Sequence, residues 1–371
     1  MLSPRWRKVL RDLMTNKTRT MLVLLSIAIG VTAIGMVMGS QIIVDQSLPE
    51  QYAAVNPAGG TIFTLSTFDD DMVAAINNMD EVETAEARRF VNVRVLTEEG
   101  EWRPMQLNAI PDYESIGINR INPEIGTYPP PERGLLVERA SLNPALGLDG
   151  LEIGNTLIIE PPDGKQREIS FDGTVHDISQ LPAFLNGAGF GYITFDTLEW
   201  LGEVRDYNTI VYTTAENSQD RDHVEQVGKL IQDRLERSGV VVLFVLVFPP
   251  GEHPAQNFLN AFSLILGAMG ILSLALGGFL IVNTLSAIMA QQIRQIGIMK
   301  SIGGRTGQVT VMYVLMVLLF GVFALIIAIP LGAAGAVGLA SMFGGLLNFD
   351  TGGFQLFPQV LLVQTIIALL A

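Results

Sequence analysis

The sequence predicts an α-helical membrane protein with three complete spans and a truncated fourth, and a large α+β extracytoplasmic domain inserted between spans 1 and 2. Three observations carry this reading: long stretches without charge, a lopsided distribution of the charges that exist, and a change to soluble-type patterning over 45–257. Each element follows in chain order.

Residues 1–19 hold Arg5, Arg7, Lys8, Arg11, Lys17 and Arg19 against Asp12 alone. Trp6, Val9, Leu10 and Leu13 fall on one side and Arg5, Lys8, Arg11 and Asp12 mostly on the other, which predicts a basic amphipathic helix lying in the membrane surface on the cytoplasmic side. Residues 20–44 are uncharged. A helix of that length rises about 37 Å, enough for a ~30 Å hydrocarbon core, so this is span 1. A cleaved signal peptide is the competing reading; its apolar region would be shorter, and no small-x-small site closes this one.

Residues 45–257 read as the extracytoplasmic α+β domain. Thr61–Leu65 is patterned as a strand, Met72, Val73, Ile76 and Met79 recur at helical spacing behind Asp69, Asp70 and Asp71, and Val82–Leu96 returns to strand. The order repeats late in the domain: Thr209–Thr213 as strand, Gln219–Arg237 as a helix burying Val224, Val227, Ile231 and Leu235, then Val240–Phe248 as an apolar strand. Two such units predict a split βαβ sheet with helices on one face. Between them, about 132–199, short strands alternate with turns such as Asp172-Gly173, which predicts a β-rich insertion. A domain of this size is expected to fold on its own.

Span 2 is placed at 258–290, a cytoplasmic segment at 291–307 and span 3 at 308–345, with an outer loop at 346–358. Pro330 could kink or end the third span, whereas the small residues Gly332 to Gly338 suit a close-packed helix face. The last apolar run, 359–371, is too short to cross and reads as the start of span 4, so the natural chain is expected to continue.

Orientation follows from the charges. Residues 289–308 carry Arg294, Lys300 and Arg305 and no acid, while Val44–Asn257 holds 14 Lys/Arg and 35 Asp/Glu. Basic residues near span ends mark the cytoplasmic side, which puts the acidic domain outside and the protein in the plasma or inner membrane. The acidic balance excludes duplex nucleic acid as a partner, and the absence of cysteine excludes disulfides and thiolate metal sites.

Catalytic patterns are missing. His176, His223 and His253 each adjoin a carboxylate, Asp177, Asp222 and Glu252, yet they fall in three different predicted elements with no H-E-x-x-H or G-x-S-x-G pattern, so a surface or structural role is expected for them. Asp69 to Asp71 sit at a helix start, where acids cap rather than ligate. No G-x-x-x-x-G-K-[ST] sequence is present to cradle a nucleotide phosphate.

The segment "QQIRQIGIMKSIGGRTG", 291–307, is the most informative. Ile293, Ile296, Met299 and Ile302 recur at a spacing of three, giving a short cytoplasmic helix an apolar side, with Arg294, Gln295, Ser301 and Arg305 on the other. Gly303-Gly304 would stop it. One reading is a connector whose basic residues satisfy the inside-positive bias; the other is a helix that docks into a partner's groove.

These residues resemble the FtsX/MacB-type permeases of ABC transporters. "LRDLMTNKTRTMLVLLSIAIGV" is similar to that family's surface helix and first span, and "RQIGIMKSIGGRTGQV" to its cytoplasmic segment, usually written R-E-I-G-I-L-R-A-L-G-A. Gln295 stands where Glu is usual and Lys300 where Arg is common. "RGLLVERASLNPALGLDGLEIGNTLII" is similar to the opening of the family's β-rich insertion.

The resemblance implies a permease subunit with no enzyme activity and no cofactor of its own. ATP and Mg are expected in a cytoplasmic ABC ATPase partner, contacted through Ile293, Arg294, Gln295, Ile296, Gly297, Met299, Lys300, Ile302, Gly303 and Gly304. It also implies a second permease half or a homodimer, surrounded by membrane lipids. The implied activity is export or extraction of a hydrophobic or lipidated substrate; the alternative is a force-transmitting regulator of an extracytoplasmic enzyme, without cargo.

Overall fold

The computed structural model describes residues 17–181, 183–249, 251–301 and 306–370. They form two compact units. One comprises the chain up to Gln46, Phe258–Met342 and the chain from Thr351; the other comprises Ser47–Asn257 together with Phe343–Asp350.

The second unit is built on a ten-stranded sheet: β1 (Gly60–Phe68), β2 (Val82–Leu96), β3 (Trp102–Ile110), β4 (Asn122–Gly126), β5 (Gly134–Glu138), β6 (Thr156–Glu160), β7 (Arg167–His176), β8 (Gly189–Thr194), β9 (Tyr207–Thr214) and β10 (Val242–Val247). Its order is β10-β1-β9-β2-β3-β8-β5-β7-β4, with β6 pairing to β2 and β7. β9 lies between β1 and β2, antiparallel to both, and β1 lies likewise between β9 and β10. The two βαβ units are therefore interleaved, the split arrangement expected from the repeated strand-helix-strand pattern.

Following α1 (Lys17–Ala54), these units carry α2 (Asp70–Asn77) and α5 (Arg221–Arg237); the short α3 (Ala183–Asn186) and α4 (Phe195–Trp200) lie between them in sequence. Asp69 caps α2 by accepting from Met72 N at 3.1 Å. α5 buries Val224, Val227, Ile231 and Leu235, one stripe of an amphipathic helix, in the core that also holds Ile62, Ile76 and Ile210.

The β-rich part is continuous with this sheet. β2 is 15 residues long, so its first half pairs with β9 while its second half pairs with β3 and β6. At a rise of about 3.4 Å per residue such a strand reaches about 50 Å, long enough to serve both halves.

The other unit holds α6 (Gln256–Ser301), α7 (Thr306–Leu347), α8 (Pro358–Leu370) and most of α1. Among the described residues, Thr20–Ala54 and Val314–Leu347 are long and apolar enough to cross a membrane. Val23, Ile27, Ala28 and Val31 of α1 pack with Met316, Phe320, Ala324 and Ala328 of α7 and with Ala368 of α8, in the three-and-four spacing of packed helices.

Pro330 does not end α7, which continues to Leu347. The small residues beyond it make room for neighbours, since a Cβ at Gly332 would lie 2.7 Å from Gln364 Nε2. That buried amide donates to Val31 O at 3.2 Å and to Ala328 O at 3.5 Å. A polar side chain in an apolar bundle is retained by such bonds across helices.

Candidate functional site

The segment singled out in the sequence is not a separate short helix. Residues as far as Ser301 continue α6, because 291–301 contains no proline and its one glycine, Gly297, costs a helix only about 1 kcal/mol. Ile293 is 66% exposed, and Arg294, Gly297 and Ile298 are exposed beside it. The side chains of Gln295, Ile296, Met299 and Lys300, and Ile302, Gly303 and Gly304 altogether, lie outside the described residues, as does the amphipathic helix expected over 1–16.

A second constellation emerges only in the folded domain. Four stretches distant in sequence converge in the unit formed by Ser47–Asn257 and Phe343–Asp350: the end of α1, the end of β5 with the 3-10 turn Arg139–Ser141, the end of β7, and the residues that close α7.

α7 closes on Asn348, whose φ of +61° is left-handed, while Phe349 N donates to Gly344 O at 3.0 Å. Asparagine accepts this conformation and also supplies a polar side chain, which glycine cannot. Here that side chain is fully used. Asn348 Nδ2 donates to Glu138 Oε1 at 2.6 Å, and Asn348 Oδ1 accepts from Arg139 Nε at 2.7 Å.

The Asn348 carbonyl oxygen lies 2.7 Å from His176 Nε2. Arg139 Nη2 lies 3.1 Å from the same nitrogen. Arg139 then reaches outward, donating to Glu124 Oε1 at 2.8 Å and pairing with Asp350 at 3.1 Å.

Beneath this layer Glu138 and Asp177 are buried. Glu138 Oε2 accepts from Ala140 N at 2.7 Å. Burial, and then the neighbouring Asp177 charge, push the Glu138 carboxyl up to about 8 against the downward pull of its hydrogen bonds. Asp177 accepts from Tyr192 OH at 2.6 Å and from Ser179 N at 2.9 Å. The paired acids are held by donors, as buried charges must be.

The end of α1 joins the same place. Gln51 Nε2 donates to Asp350 O at 2.6 Å and Asp350 N donates to Gln51 Oε1 at 2.8 Å, a two-bond lock between side-chain amide and backbone. Tyr52 packs edge-on against His253, with ring centroids 5.2 Å apart. His253, just before α6, donates from Nε2 to Ile178 O at 2.8 Å and accepts from Ala255 N at 3.1 Å. Burial pulls its pKa down to about 4, in keeping with this neutral tautomer. At Val55 and Asn56 the chain leaves α1, and their carbonyls accept from Arg120 N and Asn119 N at 2.8 and 2.9 Å.

The constellation is a joint. Its histidines bond backbone carbonyls, and His223 lies apart in α5. Among the described residues no three His, Asp or Glu side chains gather as a metal site. The sequence had marked His176 and His253 as surface or structural residues; it gave no sign of Gln51, Glu138, Arg139 or Asn348. One signal was present: Asp350 is the single charged residue between Thr306 and Ala371.

An apolar helical unit joined in sequence to a split-βαβ domain is the build of a membrane-anchored protein. Its residues 267–371 match the FtsX-like permease C-terminal family. The match covers the segment "RQIGIMKSIGGRTGQV", and the resemblance seen there is borne out. No curated protein matches the chain.

Solved structures similar to it include the following two. One is the extracellular domain of the noncanonic ABC-type transporter YknZ from Gram-positive bacteria, at 14% identity, covering 51% of this chain and 98% of that one with a TM-score of 0.34. The other is the periplasmic region of MacB from Actinobacillus actinomycetemcomitans, at 9% identity, covering 54% of this chain and 93% of that one with a TM-score of 0.35.

Proposed function

We propose that the chain is the membrane permease subunit of an ABC transporter, with three complete spans, the start of a fourth, and its acidic domain outside the cell membrane. The observation that carries this reading is the family match over 267–371, which includes most of α6, all of α7 and the segment from Ile293 to Gly304. A cytoplasmic ATPase supplies ATP and Mg chemistry, and a second permease half or copy completes the complex. Closure of the ATPase moves the end of α6, the spans carry that motion outward, and the outer domain exports or extracts a hydrophobic or lipidated substrate.

The apolar row at 293, 296, 299 and 302 is the ATPase contact in this reading. Buried apolar anchors contribute more at an interface than rim charges do. Ile296→Asp is expected to abolish co-purification with the cognate ATPase and its stimulated turnover while membrane insertion persists; Arg294→Ala gives a weaker, salt-sensitive loss. An Ile296→Asp chain that binds and stimulates like the parent makes this segment a mere connector. Topology is tested separately in the cysteine-free chain: a cysteine at Ser218 should react with impermeant reagent in intact cells, and one at Ser301 should not.

A further inference from the structure

We infer that Asn348, gripped by Glu138, Arg139 and His176, is a clamp that drives the β-rich half of the outer domain directly from α7. The inference rests on the permease reading. It adds a route of force separate from the two covalent entries of the domain, through Ala54 at the end of α1 and through Gln256 at the start of α6.

Three observations support it. α7 is assigned as helix without a break from Thr306 to Leu347, Pro330 included, so its last turn is continuous in sequence and secondary structure with the rest of the span. That turn is built into the domain: Leu347, Asn348 and Phe349 are buried, and residues 343–350 belong to the compact unit of the domain. Finally, both side-chain polar atoms of Asn348 and its carbonyl are engaged, Nδ2 by Glu138, Oδ1 by Arg139 and the carbonyl by His176. Glu138 ends β5 and Arg139 opens the turn after it; β5 pairs with β7 and β8, so a shift of Asn348 is passed to the β-rich half through backbone hydrogen bonds.

A fully bonded grip on a left-handed cap fixes position along the helix axis as well as contact. Arg139 and Glu138 are accordingly positioning residues that act through Asn348.

The test uses the full chain with its ATPase in lipid nanodiscs. Hydrogen exchange is followed over 134–146, from β5 through the turns behind it, with and without ATP. The parent should show an ATP-dependent change there. Asn348→Gly keeps the left-handed turn and the backbone carbonyl and removes the side-chain grip, and Arg139→Gln removes the fork and the charge. Both should lose at least four-fifths of the ATP-dependent difference at 134–146, while ATPase co-purification and stimulated turnover stay within twofold of the parent.

A structural role alone would raise exchange in both nucleotide states and leave their difference intact; that result overturns the clamp. So does a parent that responds to ATP in α6 but not over 134–146. Failure of any ATPase to co-purify with the parent, with no ATP response anywhere in the chain, overturns the permease reading and the clamp with it.

Discussion

The two ends of the ten-stranded sheet are opposites. At the β5-β7-β4 end, polar and charged groups are buried: Glu138, His176, Asp177 and Asn348 are all withdrawn from solvent and all bonded. At the other end lies β10, which among the described residues pairs with β1 alone, and there apolar groups are exposed. Phe244 is 52% and Leu65 70% accessible, and Phe244 stacks on Phe63 with centroids 4.8 Å apart. No charged residue occurs from Gly239 to Gly251, in a domain otherwise dense with acid.

The contrast teaches where specificity resides. Burying polar groups is unfavourable unless each finds its partner, so the joint tolerates one arrangement and registers its loss sharply. An exposed apolar edge is permissive. It lacks the lysines that guard most sheet edges, and side chains can change there with little effect on the fold.

The largest effect should come from removing the span end altogether. A fragment of Val44–Asn257 is expected to unfold at lower urea than the same fragment with Phe343–Asp350 joined by a flexible linker. Burial of Leu347 and Phe349 alone is worth about 3–5 kcal/mol, before any hydrogen bond is counted. Equal midpoints for the two fragments would mean that residues 343–350 are only a neighbour of the domain.

Next is Asn348→Leu in the full chain. It leaves Glu138 and Arg139 without their partner and puts a branched side chain in the left-handed region, for a loss of about 3–5 kcal/mol in the unfolding of the outer domain. The check is the shift of that transition against the parent in denaturant.

Acidity should act on the joint in two opposite directions. His253 has a folded pKa depressed to about 4, so the stability it contributes is complete above about 6.5 and is lost as pH falls through 4. Glu138 has the opposite sign: raised to about 8, it favours the fold below its ordinary carboxylate range, and that contribution is lost as pH rises through 8. His253→Asn should flatten the acid limb of a stability-pH curve, by about 3 kcal/mol between pH 7 and pH 4, and Glu138→Gln should flatten the alkaline one. A curve unchanged by either substitution removes the buried-titration account of the joint.

The smallest effect is expected at the edge. Phe244→Lys should alter domain stability by less than about 1 kcal/mol while reducing self-association of the outer domain in sedimentation. A loss matching that of Asn348→Leu would erase the distinction between the two ends.

Much of this molecule was legible in the residues alone, because some patterns act over short range. A run of 25 uncharged residues at 20–44 declares a span by length and composition. The spacing of Val224, Val227, Ile231 and Leu235 declares a helix and its buried face, and Asp69 declares where another begins, since periodicity and capping involve residues a few positions apart. The family motif at 294–309 was readable for the same reason.

The joint was not. Gln51 and Asp350 are 299 positions apart, and Glu138 and Asn348 are 210 apart, with no local pattern linking either pair. Their meeting depends on the order of strands that brings the ends of β5 and β7 together, and on α7 ending at Asn348 rather than at Pro330. Single polar residues in loops and at helix ends look alike in a sequence; only the tertiary fold decides which of them lose their water and must bond to one another.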